Sequence, residues 1–251
     1  LTLNKTSMKR RSFFGTLLSA NLGIFLTGNP LVEIFTKSER DIFRKGTVSV
    51  DDNVISFYLD EINSPLKIIH ISDTHLFMDD DRGKPFLQYS RRMAGAYNTS
   101  RHFRTGKDTD PEKSFEEVLE LAIEKDADLF AMTGDIFSFP SEAAVEWVHE
   151  KVSNSGIPFL YTAGNHDWHY EGMGGSRNEL RDIWTKKRLS PLYQGKDPMM
   201  TSCKIDGINI MAIDNSTYEI LPEQLEFFRS HSKTDAPIIL MMHIPMYAPG
   251  R

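Results

Sequence analysis

The chain has 251 residues, 40% of them hydrophobic and 11% aromatic, which is enough to bury one sizeable core and excludes a disordered or fibrous protein. Its 29 basic and 35 acidic residues give a net charge of −6, and a single cysteine, Cys203, rules out an intrachain disulfide and a cysteine-rich metal site. Residues 1–30 hold four basic residues and no acidic one; setting them aside leaves 25 basic and 35 acidic residues, net −10, a balance that disfavours general nucleic-acid binding.

In chain order, Lys5, Lys9, Arg10 and Arg11 precede an apolar stretch from Gly15 to Gly28 that is short for a membrane span. Arg10-Arg11-Ser12-Phe13-Phe14 resembles a twin-arginine signal. The expectation is an export signal or N-terminal anchor over residues 1–30, placing the protein in the bacterial periplasm or on another extracytoplasmic face, with transient membrane contact through this segment. An amphipathic helix of the folded protein is the alternative. Residues 31–251 then form one domain.

The β-branched runs Thr47–Val50 and Val54–Tyr58 predict a strand pair. Lys67–Ile71 is an apolar strand that stops at Asp73 and His75, spaced i, i+2, which share a face if the backbone stays extended. Residues 76–111 are rich in Asp, Arg, Gly and Ser with weak periodicity and read as a long segment bordering the site or as a solvated insertion. Arg91, Arg92, His102 and Arg104 are candidate phosphate contacts within it. Helices follow at Asp110–Ala122, with Pro at the first turn, and at Ser141–Ser153, with Ser141 as N-cap. Each lies between two apolar strands, which implies a parallel sheet with right-handed crossovers. Asp206-Gly207 predicts a hairpin between Met200–Ile205 and Ile208–Ile213 that starts a second sheet, and Leu221–Phe228 a covering helix.

Three more apolar strands end as the first one does. Leu129–Thr133 runs into Gly134-Asp135, Phe159–Ala163 into Gly164-Asn165-His166-Asp167, and Pro237–Met242 into His243. Ligands gather beyond the carboxyl ends of strands in open α/β sheets, so four such ends can converge on one site. Asp135 follows directly on a glycine at a strand end, where a carboxylate can bridge two cations; a helix N-cap is the alternative. Asp73 and His75 would complete the ligands of one, and Asn165 and His243 would serve the other. Of the remaining candidates, His70 reads as packed in its strand, His169 and Tyr170 as pocket lining, Trp168 as a stacking surface or a wall, and Cys203 as an inert strand residue.

These four motifs, in this order, resemble those of the calcineurin-like metallophosphoesterases over roughly Lys67 to the last residue. The resemblance implies a layered α/β/β/α sandwich of two mixed sheets flanked by helices. It also implies two divalent or trivalent ions of Mn, Fe or Zn type, and a metal-bound hydroxide that attacks a phosphomonoester or phosphodiester. By the same resemblance His166 is the proton donor and Asp167 orients it. The substrate would be a small-molecule phosphate ester or a phosphorylated molecule. Ser138 and His75 depart from the purple acid phosphatase pattern, while Ser72–Phe77 resembles cyclic-nucleotide phosphodiesterases of this superfamily. The family's last motif, Gly-His-x-His, is absent, and this predicts a C-terminally incomplete domain, an uncovered apolar sheet edge and weak metal binding. The alternative function is an exported binding or scaffold protein with the same fold and no turnover.

Overall fold

The computed structural model describes residues 46–59, 62, 64–96, 100–102 and 104–246. The export or anchor segment expected over residues 1–30 lies outside them. Strands β1 (Gly46–Asp51) and β2 (Val54–Leu59) pair antiparallel in a sheet of their own. Their apolar side chains Val50, Val54, Ile55, Phe57 and Tyr58 are exposed.

Strand β3 (Ile68–Ile71) opens the first core sheet. After it the chain makes a short helical turn at Asp81–Phe86 and then helix α1 (Leu87–Ala96), where the sequence shows little periodicity. The helix buries only Ser90 and Met93, too narrow an apolar stripe to read in advance. Arg91 and Arg92 lie on its exposed side. The short strands β4 (Ser100–Arg101) and β5 (Asp108–Thr109) then pair antiparallel.

Helix α2 (Pro111–Glu124) starts as its sequence dictates: the Asp110 carboxylate accepts from the Glu112 and Lys113 N–H groups, and Pro111 sits where no intrahelical donor is needed. It leads to β6 (Leu129–Thr133), then α3 (Glu142–Asn154), capped by Ser141, and β7 (Phe159–Thr162). Among the described residues the first core sheet has the order β3-β6-β7 and is entirely parallel. The expected mixed character is therefore confined to the second sheet. Helix α4 (Arg177–Trp184) follows, with a Ser176/Glu179 capping box.

The second sheet has the order β10-β9-β8 and is built from the hairpin β8 (Met200–Ile205) and β9 (Ile208–Ile213), helix α5 (Pro222–His231) and strand β10 (Ile238–Met241), which runs parallel to β9. Asp206 and Gly207 at the hairpin tip both take positive φ, 45° and 84°, the twist a two-residue turn requires.

Alternation along the central strands makes the layers. Leu129 and Ala131 of β6 and Leu160 of β7 pack in one cluster with Ile208, Ile210, Ala212 and Met241 of the other sheet. Phe130 and Met132 point the other way, into a cluster with Phe115 and Leu119 of α2 and Val145 and Val148 of α3. Met211 and Ile213 meet Leu225 and Phe228 of α5 on the outer face of the second sheet. The order is helices, sheet, sheet, helix, so both central sheets are apolar on both faces. Each large side chain fully withdrawn from water contributes about 1.5–3 kcal/mol. No helix among the described residues is long and apolar enough to cross a membrane.

Candidate metal centre

β3 and β6 are neighbours in the sheet, and the loops that leave them continue the pairing. The Asp73 N–H donates to the Gly134 carbonyl, that of His75 to Asp135 and that of Leu76 to Ile136, each at 2.8–3.0 Å. The Thr74 hydroxyl donates to the Ile136 carbonyl and the Ser138 hydroxyl to the His75 carbonyl. The backbone is not extended here, as the i, i+2 reading assumed. Asp73, His75 and Asp135 have φ of 56°, 49° and 50°, a left-handed conformation that costs a side-chain-bearing residue roughly 1–2 kcal/mol. The hydrogen bonds between the loops sustain three such residues side by side and turn their side chains to a common point.

One ligand atom from each of Asp73, His75 and Asp135 lies within 4.8 Å of the other two. Oxygen and imidazole donors at such spacing fit a Mn, Fe or Zn ion, with bonds of about 2.0–2.2 Å. Burial lowers the pKa of His75 and outweighs the opposing charge of Asp135, which favours the neutral ring that can offer a lone pair.

β7 brings its end against that of β6 with no room for side chains at the contact. A Cβ on Gly164 would stand 2.2 Å from both the backbone N and Oδ1 of Asp135. One on Gly134 would stand 2.5 Å from Gly164 N and 2.7 Å from His243 Cγ. Glycine is the residue that permits both approaches. Past this contact the His166 N–H donates to Asp135 Oδ1 at 2.8 Å. The other carboxylate oxygen, Oδ2, is 3.1 Å from His243 Nε2, and His243 Nδ1 meets the Thr133 carbonyl at 2.9 Å. Asp135 therefore reaches toward two strand ends at once. Asn165 lies between Gly164 and His166, both of which touch Asp135, and its Oδ1 accepts from the Tyr218 hydroxyl at 3.2 Å.

The His166 ring stands edge-on to that of His75, with centroids 5.0 Å apart. Asp167 follows His166 in the same turn. Its fully buried carboxylate accepts from the Phe137 and Gly164 N–H groups at 2.8 Å and from the Tyr161 hydroxyl at 2.9 Å. Burial, then the charge of Asp135, raises the Asp167 pKa to about 7.

Several expected pocket residues are elsewhere. Trp168 is buried and donates to the Ser216 hydroxyl, so it is no stacking surface. Tyr170 is buried among Phe86, Phe139 and Trp184 and does not line a pocket. His70 is exposed where packing was expected, and it bonds the Thr133 hydroxyl at 2.6 Å. Arg92 pairs with Glu171 and His102 with Glu117, so carboxylates already engage two of the four candidate phosphate contacts. Of the long segment after His75, helix α1 packs near the stretch that follows His166: its Met93 sulfur accepts from the Glu171 N–H.

The loop after β9 was passed over in the sequence and ties the centre together. Asn215 is buried; its amide donates to the Ile244 carbonyl at 2.7 Å and accepts from the Ile244 N–H at 3.0 Å, which fixes the peptide beside His243. Ser216 holds Trp168, and Tyr218 holds Asn165. The signal was present: Ile208–Ile213 is one more apolar strand that runs into ligand-type residues, Asp214-Asn215.

A family model described as calcineurin-like phosphoesterase matches residues 66–251. The chain is 30% identical over 190 residues to a protein from Sulfurisphaera tokodaii named DNA double-strand break repair protein Mre11, an alignment covering 72% of this chain and 41% of that protein. It is 25% identical over 181 residues to a probable cyclic nucleotide phosphodiesterase from Fibrobacter succinogenes, covering 72% and 57%. The chain thus spans about half the length of these curated relatives. A dimetal phosphatase structure from Danio rerio overlaps 65% of this chain and 50% of its own, with a TM-score of 0.37 at 13% identity.

Proposed function

This chain belongs to the calcineurin-like phosphoesterase family, and we propose that it is a metal-dependent phosphoesterase that hydrolyses a phosphomonoester or phosphodiester at a dinuclear site, with His166 giving the leaving group its proton. The observation that carries this reading is the convergence of Asp73, His75 and Asp135 within 4.8 Å, with Asp135 reaching on to His243. Asp73, His75 and Asp135 would hold one ion, and Asp135, Asn165 and His243 the other. When bound, the ions would supply a nucleophile from water at neutral pH and positive charge for the phosphoryl oxygens in the transition state.

The chain's own residues do the rest. The Thr133 carbonyl takes the Nδ1 side of His243 and so aims Nε2 at the centre. The His166 N–H holds one oxygen of Asp135, leaving the other for the second strand end. The His166 ring, edge-on to a ligand histidine, stands at the rim of the cluster, where it can pass a proton to an ester oxygen. Asp167 ties the turn that carries His166 to the loop after β6 through the Gly164 and Phe137 N–H groups, and by holding that backbone it would position the ring. The name of the Fibrobacter relative supports an ester of phosphoric acid as the substrate class.

The test is hydrolysis of p-nitrophenyl phosphate and bis(p-nitrophenyl) phosphate with added Mn²⁺. Turnover of at least one, lost with a chelator and restored by Mn²⁺, is expected. Tight ion binding with no turnover of either would favour the binding-protein alternative.

A further inference from the structure

Tyr218 is an aromatic residue with φ of 67°, a conformation uncommon for any side-chain-bearing residue and an outlier for a bulky one. Strain of this kind persists where the surroundings enforce it, and it collects at functional sites. Here it presents the ring to solvent, 42% exposed, while the hydroxyl reaches Asn165 Oδ1 at 3.2 Å. Over this ring lies the guanidinium of Arg177, its carbon 5.0 Å from the ring centroid, with one nitrogen on the Thr217 carbonyl at 3.5 Å. No carboxylate among the described residues forms an ion pair with Arg177. That sets it apart from Arg82, Arg92, Arg101, Arg181, Arg188 and Arg229, each of which has an acidic partner. Its charge is one of those felt at His169, which burial, then His166 and to a smaller degree Arg177, hold below the ordinary histidine range against the opposing charge of Glu171.

An arginine with its charge uncommitted, held on a strained and exposed tyrosine that touches Asn165, is arranged to meet something anionic beside the centre. We propose that Arg177, seated on Tyr218, is a specificity-determining residue: it binds a second negative group on the substrate, so the preferred substrates are phosphate esters whose far end carries its own carboxylate or phosphate. This inference rests on the reading of Asp73, His75, Asp135, Asn165 and His243 as the reaction centre. The tyrosine ring gives the cation a fixed platform and shields one face from water. Among the described residues the other donors of the guanidinium make no hydrogen bond, which leaves them able to fork onto an oxyanion.

The experiment is a calorimetric titration of the Mn²⁺-loaded protein with phenylphosphonate and with 4-carboxyphenylphosphonate, which differ by one carboxylate and undergo no hydrolysis. The parent should bind the carboxylate-bearing compound on the order of ten-fold more tightly, as a charge-assisted hydrogen bond at a partly wet site allows. Arg177→Gln should reduce the preference to two-fold or less, Arg177→Lys, which keeps the charge but loses the fork and the stacking, should keep only part of it, and Tyr218→Ala should weaken it by loosening the seat of Arg177. With the corresponding esters, Arg177→Gln should raise KM for the charged ester more than for the neutral one and leave the ratio of their kcat values in place. Equal affinities in the parent, or a preference that survives Arg177→Gln, would overturn the proposal. Because binding is read without turnover, a preference seen in a protein that hydrolyses neither ester would sink the proposed reaction and leave this subsite standing.

Discussion

Nε2 of His243 stands 3.1 Å from Oδ2 of Asp135 while its Nδ1 meets the Thr133 carbonyl, so the ring faces an acceptor on both sides. Burial lowers the pKa of His243, but the hydrogen bond and charge of Asp135, with the Thr133 carbonyl, outweigh it and bring the value to about 9. A folded-state value above the ordinary 6.5 means that the protonated pair stabilises the ion-free fold fully below about pH 6.5 and loses that contribution as pH rises through about 9. An ion held by Nε2 must displace the same proton. Mn²⁺ affinity at this position should therefore rise by roughly ten-fold per pH unit between pH 6.5 and 8.5. Calorimetric titrations across that range check it, and His243→Gln should flatten the slope; an affinity independent of pH in the parent would count against His243 as a ligand.

Gly164→Ala puts a methyl group 2.2 Å from the backbone N of Asp135, and backbone cannot swing aside as a long side chain can. The expected result is a loss of about 1–3 kcal/mol or more in stability, with weakened metal binding, because relief of the clash must part β6 from β7 at the centre. Chemical denaturation and Mn²⁺ titration read the two effects; a variant as stable and as tight as the parent would show that the two strand ends do not meet this closely.

Asp167 has the opposite linkage to a carboxylate paired with a cation, whose folded pKa is lowered. Its pKa is raised to about 7 by burial and then by Asp135, so its neutral form stabilises the fold, and that contribution declines as pH rises from about 4 through 7. Asp167→Asn is neutral at every pH but leaves the Gly164 N–H facing an amide group, at a cost of about 1–3 kcal/mol. The gap in melting temperature between parent and variant should narrow steadily from pH 4.5 to 7.5 in ion-free protein. Parallel curves would mean that Asp167 is ionised throughout.

His166→Ala should keep the metal and lose turnover. For esters with poor leaving groups kcat should fall by on the order of 10²–10⁴-fold, while a p-nitrophenolate leaving group, which needs no proton, should lose much less. Equal losses on both would remove His166 from the acid role.

The ligand-type residues were legible because each ends an apolar run, and the sheet order then had little choice but to gather them. How they are aimed was not legible. The left-handed turns at Asp73, His75 and Asp135 depend on hydrogen bonds between loops some 60 residues apart, and no local pattern encodes them. Helix α1 escaped notice because its buried stripe is so narrow. Tyr218 and Asn215 escaped because their meaning lies wholly in partners, Asn165 and Ile244, that come from other strands. Trp168 misled for the complementary reason: an aromatic next to a site motif says nothing about which way it faces until Ser216 is seen to claim its N–H.

The contact between His243 and Thr133 spans 110 residues, and that between Tyr218 and Asn165 spans 53. Loops of such length must close before these bonds give anything back, whereas α2, α3 and the β8–β9 hairpin need only near neighbours. The centre should thus be among the last parts of the molecule to assemble. A chain refolding from denaturant should regain its helical signal before it can retain an ion, and an ion offered early would find little more than Asp73 and His75, without the partners that make them a trap.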